Sequence, residues 1–326
     1  MRLRLSASRQ VVLRRRGLLL AAAATAALAG CSIRLEDDAP SLPLLQRKSM
    51  PDEKELIAGL TLATSLTQMA GRIPGAPALV TQLNGIHDAQ AKVLHDLLTR
   101  GGVPEHVIES ATTTATSGTS SRTPAAAVSA PPPATVQALA AAEVTALAPG
   151  SLSLVAGATT ANRTLLTAIA AQRALAGGLL GSTVTWPATD PLPPASAGGL
   201  LDATRPVAYA FEIIAAQLGA DARPVALGTL ATLRAREREL VTMAGTSAAP
   251  EPLGYALPFA VTTPELARRL AGVVLPELVA RGLDPVSGLP AASSAVTTVV
   301  RLQAQAQSLA HQWGVPMVPF PGMAYP

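Results

Sequence analysis

Four histidines, a single cysteine and three polar residues set into apolar stripes are the side chains from which this chain could build chemistry. A di-iron helical bundle draws carboxylates from four helices and carries Glu-x-x-His on two of them. No Glu-x-x-His occurs here. His87 and His95 lie eight residues apart. That is about 12 Å along a helix axis, too far to share one ion without distortion. His106 follows Pro104 in a short segment, and His311 stands in the other half of the chain. All four read as partly exposed structural histidines, and neither a metal nor a cofactor is expected. Gln90, Gln172 and Glu237 occupy stripe positions and form the candidate polar core. A buried carboxylate needs a partner or a shifted pKa. Glu237 is therefore expected to pair with an arginine (Arg234 and Arg236 are neighbours in sequence) or to line a residual polar pocket. Glu212 falls one residue off its stripe and reads as surface. No Gly-x-Ser-x-Gly and no glycine loop leading into a helix is present, so no catalytic residue is expected.

The elements that must position these residues are helical. The chain is rich in Ala and Leu, both strong helix formers, and only 2% aromatic. Strand-forming alternation is nearly absent. Asp52, with Glu55 three residues on, has the polar spacing of a capping box. Leu56, Leu60, Ala63, Thr67 and Ala70 then recur at 4-3-4-3 spacing. Leu79, Leu83, Ile86, Gln90, Val93 and Leu97 form a second stripe, suited to a bundle seam. Residues 112–134 are Thr-, Ser- and Ala-rich, end in three prolines, and read as a disordered crossover. Helical pattern resumes near Thr135, breaks at Pro149-Gly150, and returns with Leu165, Ile169, Gln172, Ala176 and Leu179. Later stripes run through Val207 to Leu218, Leu230 to Ala244, Leu266 to Val273, and Val299 to Trp313. Thr263-Pro264 reads as an N-cap followed by proline at the first helical position. Pro276 is expected to kink or end its helix.

The halves read as related. Leu83, Ile86, Gln90 and Val93 superpose on Leu230, Leu233, Glu237 and Leu240 at a constant offset of 147 residues. The expected fold is all-α: two tandem, pseudo-repeated four-helix bundles. The expected domains are a signal over 1–30, a tether over 31–50, an N-terminal bundle over 51–187 and a C-terminal bundle over 200–322.

The net charge of +4 invites a nucleic-acid reading, but its distribution excludes one. Six of the 25 Lys and Arg precede residue 17, while all 21 acidic residues follow residue 35. Beyond the leader, 19 basic residues face 21 acidic ones. Few aromatic side chains are present on which single strands could stack.

The N-terminus combines the basic run Arg2 to Arg16 with a small-to-apolar run from Gly17 to Gly30. That is the plan of a secretory signal, and it is short of the ~20 apolar residues a membrane span needs. The cut region Leu28-Ala29-Gly30-Cys31 resembles the lipobox of bacterial lipoproteins. The resemblance implies cleavage between Gly30 and Cys31, a lipid on the Cys31 thiol, and a chain anchored on the extracytoplasmic side of the cell membrane. Cys31 is the only cysteine, so no disulfide forms within the chain. Arg15-Arg16-Gly17-Leu18-Leu19 resembles a twin-arginine motif, and both export routes stay open.

Tyr209-Ala210-Phe211, the run Tyr255-Ala256-Leu257-Pro258-Phe259-Ala260-Val261-Thr262, Trp313 and Phe320-Pro321-Gly322 carry a second resemblance. Over about Asp202 to Gly322 the chain resembles a ferritin-like family of unknown function, found mainly in actinobacterial envelope lipoproteins. The resemblance implies a ferritin-like four-helix bundle and supplies no activity. Family members often carry an acidic-His pair before the first helix's tyrosine; here Thr204-Arg205 stand in that place.

Three functions follow as expectations. The first is a non-enzymatic envelope lipoprotein that presents helical faces to a protein partner. The second is a binder of a small apolar or lipid-like molecule. The third is a degenerate ferritin-like di-metal oxidoreductase.

Overall fold

The computed structural model describes residues 47–117 and 133–324. Among these, ten α-helices and two short 3-10 turns carry the chain, and no strand occurs. The expected signal over 1–30, Gly30 and Cys31, the tether up to residue 46 and residues 118–132 of the crossover lie outside the described residues.

The helices are α1 (Glu53–Gly71), α2 (Ala78–Arg100), α3 (Glu105–Ser117), α4 (Val136–Thr145), α5 (Pro149–Gly157) and α6 (Thr160–Leu179) in the first half. The second half holds α7 (Pro194–Gln217), α8 (Arg223–Ala244), α9 (Pro264–Arg281) and α10 (Ala295–Gln312). In the first half α1 packs on α2, α3 and α4, and α4 packs on α6. In the second, α7 packs on α8 and α9, and α9 packs on α10. The halves join where α6 and α10 lie against each other. The described residues from 49 onward accordingly cluster as one compact unit.

Burial explains why α6 and α10 are central. A surface helix shows one apolar stripe, whereas a helix enclosed on all sides is apolar all round. Fourteen consecutive or near-consecutive residues of α6 from Arg163 to Gly177 are buried, and α10 is buried from Ala295 to Val300 without interruption. The largest core cluster draws on Ala168 and Ala171 of α6, Leu200 of α7, Leu240 of α8, and Val296 and Val299 of α10, so it belongs to neither half alone. Buried Arg163 adds a polar tie across the same junction. Its guanidinium donates to the Ala158 carbonyl at 2.9 and 3.0 Å and to the Leu289 carbonyl at 2.9 Å.

Several local expectations need correction. Asp52 does not cap α1: it sits at φ 59° and makes no capping bond. Its carboxylate instead accepts from the Thr159 amide at 2.9 Å, the Asn162 side-chain amide at 2.8 Å and the Thr159 hydroxyl, tying the start of α1 to the start of α6. Residues 112–117, expected to be disordered, complete α3. Pro149 opens α5 rather than breaking a helix, because proline's fixed φ suits the first helical position, where its missing N–H has no partner to lose. Pro194 opens α7 in the same way, six residues before the expected boundary at 200. Pro276 does not end α9, which continues to Arg281 and buries Leu275 and Leu278 around it. Thr263 does cap α9, accepting from the Leu266 amide at 3.3 Å.

The Pro-rich tail folds back as a strap. It leaves α10 through Gly314, whose φ of +82° ends the helix in the left-handed conformation that glycine adopts freely. Buried Phe320 inserts among Leu56 and Leu60 of α1, Leu94 and Leu98 of α2, and Leu165 of α6. The Gln303 amide donates to the Val279 carbonyl at 2.9 Å and to the Pro321 carbonyl at 3.1 Å. Gly322 turns the strap at φ +86° where a Cβ would stand 2.7 Å from the Val279 oxygen.

Candidate functional site

Three places gather polar or open features. The first lies inside the first half. The 3.6-residue helical period drifts against the seven-residue stripe, so α2 buries Val80, Leu83, His87, Gln90, Leu94 and Leu98 rather than Leu79, Val93 and Leu97. His87, expected at the partly exposed edge of the core, is therefore enclosed. Its Nε2 meets Oε1 of Glu143 on α4 at 2.7 Å, with both side chains fully buried. Arg173 on α6 balances Glu143; burial pushes its guanidinium down to about 10 against the opposing pull of that carboxylate. Gly177 lets α4 come this close, since a Cβ there would stand 2.9 Å from a Val144 methyl. Gln90 and Gln172, both fully buried, face each other at 3.4 Å, and the Gln90 amide also donates to the Pro319 carbonyl of the strap at 2.8 Å. His87 Nδ1, Glu143 Oε2, Gln90 Oε1, Gln172 Nε2 and two Arg173 nitrogens have no hydrogen-bond partner among the described residues.

The second place surrounds Glu237 on α8. The expected arginine pairing holds, and the partners come from two helices. Arg234 meets Glu237 at 2.6 Å and also pairs with Glu212 and Glu251, while Arg205 of α7 approaches at 3.4 Å. Arg236, the other sequence neighbour, points elsewhere: its Nη1 donates to the Leu302 carbonyl at 2.7 Å, and burial, together with nearby Arg301, pushes it down to about 10 despite Glu239. Hydrogen bonds that Arg234 donates to the Glu212 and Glu237 carboxylates hold it above its ordinary pKa. Glu212 is exposed, as its register predicts. The network sets two arginines against three glutamates and ties α7, α8 and the following loop together. The residues behind the ferritin-like resemblance have a packing role around it. Tyr209 and Tyr255 rings lie 5.7 Å apart, Phe211 meets Trp313 edge-on at 5.2 Å, and Arg269 sits 5.2 Å over Phe259. The Trp313 indole donates to Thr229 at 3.0 Å.

The third place is a cavity of about 430 Å³ beneath the strap. Leu175 of α6, Pro276 and Val279 of α9, and Ala310 of α10 form its walls, and Val315 to Val318 with Pro321 to Ala324 form its roof. Gln307 and His311, one helical turn apart on α10, supply its polar side chains. Nothing in the sequence marked it, because its walls come from three helices distant in sequence and its roof from a segment with no helical stripe.

Among the described residues no three His, Cys, Asp or Glu side chains assemble where they could hold a metal ion. No single described helix is long and apolar enough to cross a membrane. No family model, no curated protein and no solved structure matches this chain.

Proposed function

We propose that this chain is a lipid-anchored, extracytoplasmic binding protein, non-enzymatic, whose helical body holds a small and mainly apolar molecule beneath its C-terminal strap. The cavity carries the reading. Ligand sites are concave, mostly apolar and of order 300–1,000 Å³, with few polar groups to fix orientation, and the space of about 430 Å³ under the strap fits that description. The anchor rests on the lipobox-like Leu28-Ala29-Gly30-Cys31 behind its basic leader. The body is read as two ferritin-like, pseudo-repeated bundles. In each half a helical hairpin (α1–α2, α7–α8) is followed by a partner of its first helix (α4, α9) that packs on a central helix (α6, α10).

The alternative of an envelope interaction module ranks second. It calls for a contiguous apolar face, whereas the large exposed apolar side chains Val225, Leu227, Val241, Leu253, Val273 and Val318 are spread over α8, a loop, α9 and the strap. A degenerate di-metal site is disfavoured because Arg205, a cation, stands where the family pattern places a ligand pair.

Native and denaturing mass measurement of the full chain extracted from membranes tests both parts. The expected result is a chain beginning at lipid-modified Cys31 that carries a small molecule lost on denaturation. Ala280→Trp, at the cavity's exposed edge, should abolish the bound mass. A soluble chain retaining its leader overturns the anchor, and equal bound mass in Ala280→Trp overturns the cavity as the site.

A further inference from the structure

We infer that the cavity under the strap selects an uncharged molecule with one hydrogen-bond acceptor, taken by the amide of Gln307. The inference rests on the binding reading above and adds the chemical class of the ligand. Gln307 is only 6% exposed, and its Nε2 is enclosed with no hydrogen-bond partner among the described residues. A buried N–H left unpaired is costly, and native structures pair nearly all such groups with protein or water. Gln307 lines the cavity, and rotation of its amide about the side-chain torsions would bring this nitrogen to a ligand acceptor placed there.

The rest of the lining sets the other limits. No Lys, Arg, Asp or Glu is among the described residues that line the cavity. A carboxylate or ammonium entering would lose hydration and find no Lys, Arg, Asp or Glu opposite it, only His311 toward the edge, which disfavours a charged ligand. The walls are otherwise aliphatic or proline, with Met317 and Met323 in the roof, whose unbranched thioethers adapt to irregular apolar shapes. The strap adds no competing acceptor at the points where it is fixed. Its Pro319 and Pro321 carbonyls already accept from Gln90 and Gln303, both from side-chain amides outside the cavity's own set. His311, one turn beyond Gln307, offers a second polar contact toward the edge. The matching ligand is a ketone, quinone, ester or alcohol on an apolar frame. A free fatty acid is not.

Three probes of one shape test this on the full chain by equilibrium dialysis: 2-acetylnaphthalene, 2-ethylnaphthalene and 2-naphthoate. Each affinity is referred to the probe's own transfer from water to cyclohexane. The acetyl probe should bind about tenfold more tightly than the ethyl probe on that scale, the difference expected from one hydrogen bond, and naphthoate should bind weakest. Gln307→Leu keeps the side chain's bulk and should remove the preference while leaving ethylnaphthalene binding intact. Should that variant fail to fold, the three-probe comparison on the unmodified chain still decides. Equal binding of the acetyl and ethyl probes, with both excluded by Ala280→Trp, overturns the Gln307 inference and leaves the binding reading standing. A preference for naphthoate overturns the uncharged class. Binding of none of the three overturns both.

Discussion

His87 and Glu143 are each sealed from solvent, and the balance of the pair depends on Arg173 beside them. Removing one member of such a set strands the others without hydration. Glu143→Ala should therefore cost ~3–5 kcal/mol in urea denaturation, far more than its loss of side-chain bulk. Arg236 provides the contrast. It is buried, and among the described residues no carboxylate is bonded to it and its Nε and one Nη have no hydrogen-bond partner. Arg236→Met should leave stability unchanged or raise it by ~1 kcal/mol, as apolar replacement of buried charge often does. Asp52 makes a pH-dependent contribution. Partial burial acts to raise its pKa, but the hydrogen bonds from Thr159 and Asn162 outweigh it and hold the group below its ordinary value of 3.8. A depressed folded pKa stabilises the protein fully above the unfolded value and is lost as pH falls through the folded one. Asn tolerates the left-handed backbone at this position. Asp52→Asn should thus be less stable than the native chain at neutral pH by about 1 kcal/mol, allowing for partial exposure. That gap should close below about pH 3.8; a gap of constant size from pH 7 to pH 3 would exclude the tie as its source.

At the scale of elements, the strap is the unusual component. It contains no helix or strand, yet it carries a buried aromatic residue, two side-chain-to-carbonyl ties and the roof of the cavity. Two glycines in it separate backbone from packing requirements. Gly314 has positive φ with open space around it, so Gly314→Ala should cost only the left-handed penalty of ~1–2 kcal/mol. Gly322 has positive φ and also a close approach to the Val279 carbonyl and the Gln303 amide. Gly322→Ala should cost ~3 kcal/mol or more and should loosen the roof, weakening ligand retention as well. Equal costs at the two positions, measured by urea denaturation, would show that the strap is not closely packed at Gly322.

At the scale of the whole molecule, the decisive feature is a core shared across the α6–α10 seam. Two lobes with separate cores would unfold independently, whereas one shared core gives a single cooperative transition. The two tryptophans report on different clusters: Trp186 packs on the shared one from the connection before α7, and Trp313 on the one around Phe211. Trp186→Phe and Trp313→Phe, each leaving one reporter, should give urea transitions that coincide with the helical signal measured on the same variant. Separated transitions within either variant would contradict a shared core.

Helical class, most helix centres and the Thr263 cap were legible from composition, spacing and capping chemistry, because these depend on residues within a few positions of one another. Gln90, Gln172 and Glu237 were legible as polar intrusions for the same reason: a polar residue on a periodic apolar face is visible wherever the helix packs. Their partners were not. Glu143 lies in an Ala-rich segment with no stripe of its own, His87 falls one residue off its seven-residue stripe, and Arg205 reaches Glu237 from another helix. Helical drift and helix-to-helix contacts decide these matches, and neither is encoded in spacing along one element. Asp52 likewise carried the local signal of a cap, but a longer-range set of donors at Thr159 and Asn162 captured its carboxylate. The cavity depended entirely on tertiary structure. Its lining is contributed by α6, α9, α10 and a strap whose prolines signal only the absence of regular structure. A void arises from how surfaces fail to meet, and no single segment records that.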